Sequence, residues 1–400
     1  MRKIWVRLHR YLGLAAALFL LQAALSGCII AYQQELDAWL NPELFDSSAQ
    51  GPMLDTAALL ARLQRERPQY RVVSLPLTRE PGKALQVTVT PADPSQEPAV
   101  DELFVDPVSA EVLGGRLWGA CCFERRHLIP FIYAFHYSLQ LPGEVGLWVM
   151  GVAAVIWLFE SLIGFYLTLP KLSSSRMPAT RSSLNPGLQR KTWLRRWLPV
   201  WRIKPSASRT RLNFDLHRAG GLWLFCFMLV LAVSAISLNL RDAVFEPAVS
   251  LFSDFTLSPF DAREQRAEGP PIEAKVGFQQ VLQIAKTDAA GRGWRQPPAS
   301  MFYNAQYGIF GVGFGEETEG LGLGYLYYDG ETGAYLGDYL PGTGTAADVF
   351  EAWQLPLHSG RIIGLPGRIL VSIIGIGVIL MAVTGTRVWL HKRKPARARD

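Results

Sequence analysis

Four apolar runs, each long enough to cross a bilayer, decide most of what this chain can become. They are Leu12–Tyr32, Val145–Leu169, Ala219–Leu240 and Leu365–Leu390. Each meets the roughly 20 residues a helix needs to traverse about 30 Å of hydrocarbon. Lipid offers no hydrogen bonds to a backbone, so helices are the expected form. The runs also explain a mean hydropathy of +0.13 with 49% hydrophobic residues.

Charge orients the spans. Residues 171–214 hold eleven Lys/Arg and no Asp/Glu, and Arg2, Lys3, Arg7 and Arg10 precede the first span. Residues 35–143 hold fourteen acids against nine bases, and residues 241–364 sixteen against eight. Basic loops stay in the cytoplasm, so both termini and the 171–214 segment are expected inside. The net charge of +6 follows from that topology and implies no nucleic-acid partner. The expected organisation is span one (1–34), a first external α+β domain (35–143), span two (144–169) and a basic cytoplasmic loop (170–214). Span three (215–240), a second external domain (241–364), span four (365–391) and a cytoplasmic tail (392–400) follow.

The chain is a duplication. Leu8-His9-Arg10-Tyr11-Leu12-Gly13-Leu14 and Leu216-His217-Arg218-Ala219-Gly220-Gly221-Leu222 both read LHRxxGL. His136 precedes Leu141-Pro142-Gly143, and His358 precedes Leu365-Pro366-Gly367. The external segments carry Phe104–Gly114 and Tyr327–Asp338, each read as strand, tight turn, strand. Helix-like stretches at Thr56–Arg67 and Ile272–Lys286 and strand-like stretches at Ala84–Thr90 and Tyr307–Phe314 accompany them. Both copies run the same way through the membrane. Parallel repeats relate by an axis along the membrane normal. That axis places His9 beside His217 at one depth and His136 beside His358 at the other.

Two imidazoles facing each other between apolar helices suit the axial positions of a b-type haem. Two such centres, roughly 20 Å apart within about 30 Å of hydrocarbon, suggest electron transfer through the bilayer. An interfacial histidine bonded to backbone or headgroup is the plainer account of any one of them. Four at repeat-related positions favour ligands. Tyr11, Gly13, Gly220, Gly221 and Trp223 suit a flat cofactor and equally suit helix packing. Arg10, Arg218 and Arg361 follow three of the histidines and are candidates for haem propionates or for lipid phosphate. Glu160 is an acid inside a span, a candidate proton relay or partner of an inner imidazole; a neutral carboxyl bonded to backbone is the plainer reading. His127 is a spare candidate for the outer site, and His391 a solvated helix end.

Cys121 and Cys122 are adjacent and external, and no CxxCH motif for covalent haem attachment occurs. Leu25-Ser26-Gly27-Cys28 resembles a lipoprotein signal, but the apolar run continues through Ile29-Ile30-Ala31. Trp193, Trp197 and Trp201 among basic residues predict an amphipathic segment at the headgroups, interrupted by Pro199.

The two LHRxxGL starts, the histidines ahead of LPG and the VDPVSAEVLG and YDGETGAYLGD turns resemble the PepSY-associated transmembrane family of bacterial inner-membrane proteins. The resemblance covers nearly the whole length. It implies four transmembrane helices in a bundle as two parallel repeats, with two small periplasmic PepSY-like α+β domains. It also implies two b-type haems held by His9, His217, His136 and His358. Some members are ferric-siderophore reductases, which implies a ferric-siderophore substrate in the periplasm, membrane lipid around the bundle and an electron donor on the cytoplasmic or membrane side. Asp106-Pro107-Val108-Ser109 departs from the usual Asp-x-Thr-Gly turn, so the first external domain is expected to have drifted. The competing readings are a membrane-anchored interaction or sensor module and a metal transporter using the same histidines.

Overall fold

The computed structural model describes residues 1–170, 193–263, 265, 270–316 and 320–393. Residues 171–192 of the expected basic loop and 394–400 of the expected tail lie outside the described residues.

In chain order the first copy runs α1 (Arg2–Ile30), α2 (Gln33–Leu40), α3 (Pro42–Phe45) and α4 (Thr56–Glu66). Four strands follow: β1 (Tyr70–Pro76), β2 (Leu85–Pro91), β3 (Glu102–Val105) and β4 (Val112–Arg116). The chain returns through α5 (Arg125–Ser138) and α6 (Val145–Thr168). A short α7 (Trp193–Trp197) leads to the second copy, with α8 (Arg209–Trp223), α9 (Phe225–Asn239), α10 (Glu246–Val249) and α11 (Phe278–Gly291). Its strands are β5 (Pro298–Asn304), β6 (Ile309–Phe314), β7 (Gly324–Asp329) and β8 (Tyr335–Tyr339). Helices α12 (Ala346–Ala352), α13 (Gln354–Ser359) and α14 (Leu365–Arg393) close the described chain.

Helices α1, α6 and α14 are each long and apolar enough to cross a membrane. The third expected span is different. It is the pair α8 and α9, bent by 65° at Leu224, and the two pass the same test only together. A continuous hydropathy profile hides this bend. Gly220 and Gly221 precede it, and glycine pairs are a recognised cause of sharp kinks. The chain ends of the spans are tied side by side. Arg2 donates to the carbonyls of Leu167 and Leu169, and Arg368 donates to the Ala31 carbonyl and pairs with Glu35. Helix α1 therefore runs antiparallel to α6 and α14. Met228, Ile374 and Val378 are buried where all four arms meet, packed by Leu20, Ala24, Trp157, Leu224 and Leu231. Cys28 lies inside α1, its thiol against the Ser372 carbonyl, and the helix continues to Ile30.

The segments between spans one and two and between spans three and four do not form two separate small domains. Their strands join in one antiparallel sheet of order β4-β3-β2-β1-β5-β6-β7-β8. The seam is the β1–β5 pair, with Ser74, Leu75 and Pro76 opposite Phe302, Met301 and Ser300. One continuous core lies beneath it: Leu59 and Leu63 of α4, Val281, Leu282 and Ala285 of α11, and Val87, Met301 and Leu326 of the strands. Each such side chain contributes about 1.5–3 kcal/mol by leaving water, so neither half can peel away cheaply. Helix α4 starts where Asp55 accepts from the Ala58 amide. Helix α11 starts six residues later than the expected Ile272, because that stretch is otherwise engaged. The Ile272 amide bonds the Ala305 carbonyl, and the Lys275 and Val276 amides bond that of Gly330.

The divergent first turn keeps its geometry. Asp106 Oδ1 accepts from the Val108 and Ser109 amides, as Asp329 Oδ1 does from those of Glu331 and Thr332. The LPG motifs, in contrast, differ in role. In the first copy the motif is the turn between α5 and α6, with Gly143 at φ +57°. In the second it forms the first turn of α14, where Pro366 needs no amide donor.

Candidate cofactor sites in the helical bundle

Four arms bring the four histidines together as two pairs. His9 on α1 and His217 on α8 have ring centres 6.2 Å apart. His136 on the last turn of α5 and His358 on α13 are also 6.2 Å apart. The first pair lies at the end of the bundle carrying the amino terminus, the second at the end beneath the sheet. Ser26, which touches His136, is seventeen residues beyond His9 on α1. At 1.5 Å per residue this separates the pairs by about 25 Å along the helix.

The ring spacing has a simple meaning. An imidazole–metal bond of about 2 Å, with about 1.1 Å from the ring nitrogen to the ring centre, puts two trans imidazoles about 6 Å apart. The same spacing also falls within the range of edge-to-face ring packing, about 4.5–7 Å. Among the described residues no group of three or more His, Cys, Asp or Glu could hold a metal ion. Two imidazoles alone suit a metal that brings its remaining ligands with it, as a haem does.

Hydrogen bonds fix which ring nitrogen is available. His136 Nδ1 lies 3.0 Å from Ser26 Oγ, and His358 Nδ1 lies 2.8 Å from Ser234 Oγ. Both hydroxyls give their own proton to a helix carbonyl, Ser26 to Gln22 and Ser234 to Leu231. Each can then only accept from the imidazole. His217 Nδ1 faces the Met381 carbonyl at 3.2 Å and Thr384 Oγ1 at 3.3 Å, and Thr384 spends its proton on the Leu380 carbonyl. His9 Nδ1 is 2.7 Å from Glu160 Oε2. That contact lies off the hydrogen-bond line. The carboxyl group therefore stands against His9 Nδ1 without a hydrogen bond to it. His136, His217 and His358 carry the proton on Nδ1 and keep the Nε2 lone pair for a metal, the arrangement that orients metal-binding histidines elsewhere.

Sequence reasoning missed Ser26, Ser234 and Thr384. The signal was the repeat itself: both serines stand seventeen residues after their LHR histidine. Glycines seat the rings. A Cβ at Gly164 would lie 3.2 Å from His9, one at Gly27 3.2 Å from His136, and one at Gly385 2.9 Å from His217. The glycines expected to admit a macrocycle do other work. Gly13 makes room for Glu160, and Gly220 and Gly221 for Met381, while Tyr11 and Trp223 point outward.

The candidate propionate partners also separate. Arg218 is held by Asp215 at 2.9 Å, with Arg211 on the same fully buried carboxylate. The Arg361 amide and Nε both turn to Ser359 Oγ. Arg10 makes no ion pair among the described residues. His127 Nδ1 contacts the Leu117 carbonyl and joins neither pair, and His391 ends α14. Cys121 and Cys122 place their sulfurs 2.7 Å apart. Trp193, Trp197 and Trp201 form a ladder, and Trp197 Nε1 donates to Thr168 at the end of α6.

No curated protein matches the chain. A family model does, and its description, PepSY-associated TM region, agrees with the apolar helices in making this a multi-pass membrane protein. That match spans residues 6–392, nearly the whole length, and the chain belongs to the PepSY-associated transmembrane family.

Proposed function

We propose that the protein is a di-haem b reductase of the bacterial inner membrane, carrying electrons from the cytoplasmic side to a periplasmic ferric-siderophore. In this reading four spans form the bundle, both termini are cytoplasmic, and the donor is a cytoplasmic or membrane reductant. The observation that supports it best is the pair of 6.2 Å imidazole spacings. A bound haem supplies a one-electron iron couple at each end of the bundle. His9 and His217 hold one, His136 and His358 the other. With two imidazoles held toward each iron, the protein would leave no ligand position open to oxygen and would favour electron transfer. The serines, Thr384 and the Met381 carbonyl hold three of the rings in one tautomer, and Glu160 stands against the fourth. Met228, Ile374, Val378 and Trp157 fill the space between the sites with apolar surface. Arg10 and Arg361 remain the candidates for propionates, whereas Arg218 serves Asp215.

The substrate side is the sheet. Tyr325 and Tyr327 alternate with the core residues Leu326 and Tyr328, so they face away from α4 and α11. Their rings stack 6.0 Å apart. Tyr328 is fully buried and bonds Asp288, so it lines no substrate site. Lowering the charge of chelated iron by one weakens its attraction to oxygen donors, which releases the metal. Mixing the reduced, purified protein with a ferric hydroxamate and an Fe(II)-trapping dye is expected to reoxidise the haems and colour the dye together. Reoxidation no faster than without the chelate would remove the substrate assignment.

A further inference from the structure

The two copies differ at one position that touches a candidate ligand. Glu160 and Thr384 each stand nineteen residues after the leucine of their LPG motif. Thr384 faces His217, and Glu160 faces His9. Three imidazoles thus face neutral oxygens, and the fourth stands 2.7 Å from a carboxyl oxygen. The Glu160 side chain is only 7% exposed, and among the described residues it pairs with no Lys or Arg. A seat has been cut for it: a Cβ at Gly13 would lie 2.8 Å from its Oε2. At the matching position of the second copy, Gly221 faces the Met381 methyl instead.

We infer that Glu160 is a positioning residue that sets the His9–His217 site at a lower reduction potential than the His136–His358 site, so that electrons run downhill toward the sheet. The inference rests on the di-haem reading. Oxidation leaves one more positive charge on the site, and a carboxylate against the ligating imidazole stabilises that charged state. It also makes the imidazole a stronger donor. Burial of the Glu160 carboxyl group weakens the screening of its charge, although the His9 side chain is 32% exposed. Hydroxyls and a carbonyl do the same far more weakly, since they carry no net charge. A duplication would otherwise yield two near-equal sites and no preferred direction.

Spectroscopic redox titration of the purified full chain tests this. His358→Ala leaves the His9–His217 site and His217→Ala leaves the other. The first is expected to have the lower midpoint by at least a tenfold change in the reduction equilibrium, 59 mV for one electron. Adding Glu160→Gln to the His358→Ala protein is expected to raise its midpoint by a similar factor and to leave that of His217→Ala unchanged. A purely structural role for Glu160 would alter haem content without this site-specific shift. Should the single-site variants fail to load, the unsubstituted protein still decides: two resolved waves are required, and one shared wave overturns the inference. Equal or reversed midpoints overturn it as well. Absence of b-type absorbance from the unsubstituted protein overturns the di-haem reading instead.

Discussion

Arg116 is 1% exposed and holds two acids, Asp37 at 2.7 Å and Glu102 at 2.6 Å, with its guanidinium 5.1 Å from the Phe104 ring centre. Burial pushes both carboxyl groups upward, and the guanidinium opposes that shift. Arg116→Ala leaves two buried acids without their cation and is expected to cost about 3–5 kcal/mol, read as a fall in thermal unfolding midpoint in detergent. Ala110 is a milder case. It holds φ +57°, where the second copy has Gly333 at +74°. Ala110→Gly relieves about 1–2 kcal/mol of left-handed strain but removes a fully buried methyl worth about 0.8 kcal/mol, so a gain below about 1 kcal/mol is expected, measured the same way. Asp329 reports the acid limb. Partial burial raises its pKa, but Arg263 and the Thr332 and Glu331 amides outweigh that and hold it at about 2. Its folded pKa lies below the unfolded one, so its contribution is present above about pH 4. That contribution fades as pH falls toward 2. Protection of the Glu331 and Thr332 amides, their exchange relative to an unfolded chain at the same pH, should fall across that window and stay flat above it. Residues of this kind were partly legible. The histidines stood out by rarity and repeat, while Ser26, Ser234 and Thr384 looked like ordinary small polar residues in a span. Only their register against the second copy distinguishes them.

Among the elements, the spans were the most legible, because 20-residue apolar runs have few alternatives. The bend between α8 and α9 was not, since hydropathy is blind to direction. Strands β1 and β5 escaped the sequence for a similar reason. Tyr70–Pro76 is only partly buried without a clean alternation, and Pro298–Asn304 opens on proline. Each is held by the other, a pairing across more than two hundred residues that no local pattern reports. Helix contacts carry their own test. A Cβ on Gly151 of α6 would fall 2.3 Å from Leu240 Cγ beyond α9, and its next neighbours are the same leucine's methyls. Gly151→Ala is therefore expected to loosen the α6–α9 contact by about 1–3 kcal/mol through overpacking. Leu240→Ala removes all three clashing atoms. The double variant should recover part of the loss, and additive losses would show that the clash is not the cause.

At the scale of the molecule, duplication is what makes two histidine pairs from one simple unit. Each copy supplies one histidine to each end of the bundle, so neither pair can form within a single copy. The sheet repeats the logic, joining the two halves at β1 and β5 so that the histidine-bearing arms are fixed against each other. Fusion of the two strand-bearing segments was invisible from composition, yet the pairing of the histidines followed from the repeat alone. The central claim is that these pairs hold two b-type haems, and a dithionite-reduced minus oxidised spectrum of the purified protein tests it most directly. The account predicts b-type α and Soret bands, and haem content halved by His9→Ala and by His136→Ala. Absence of those bands, or retention of both haems in either variant, contradicts it.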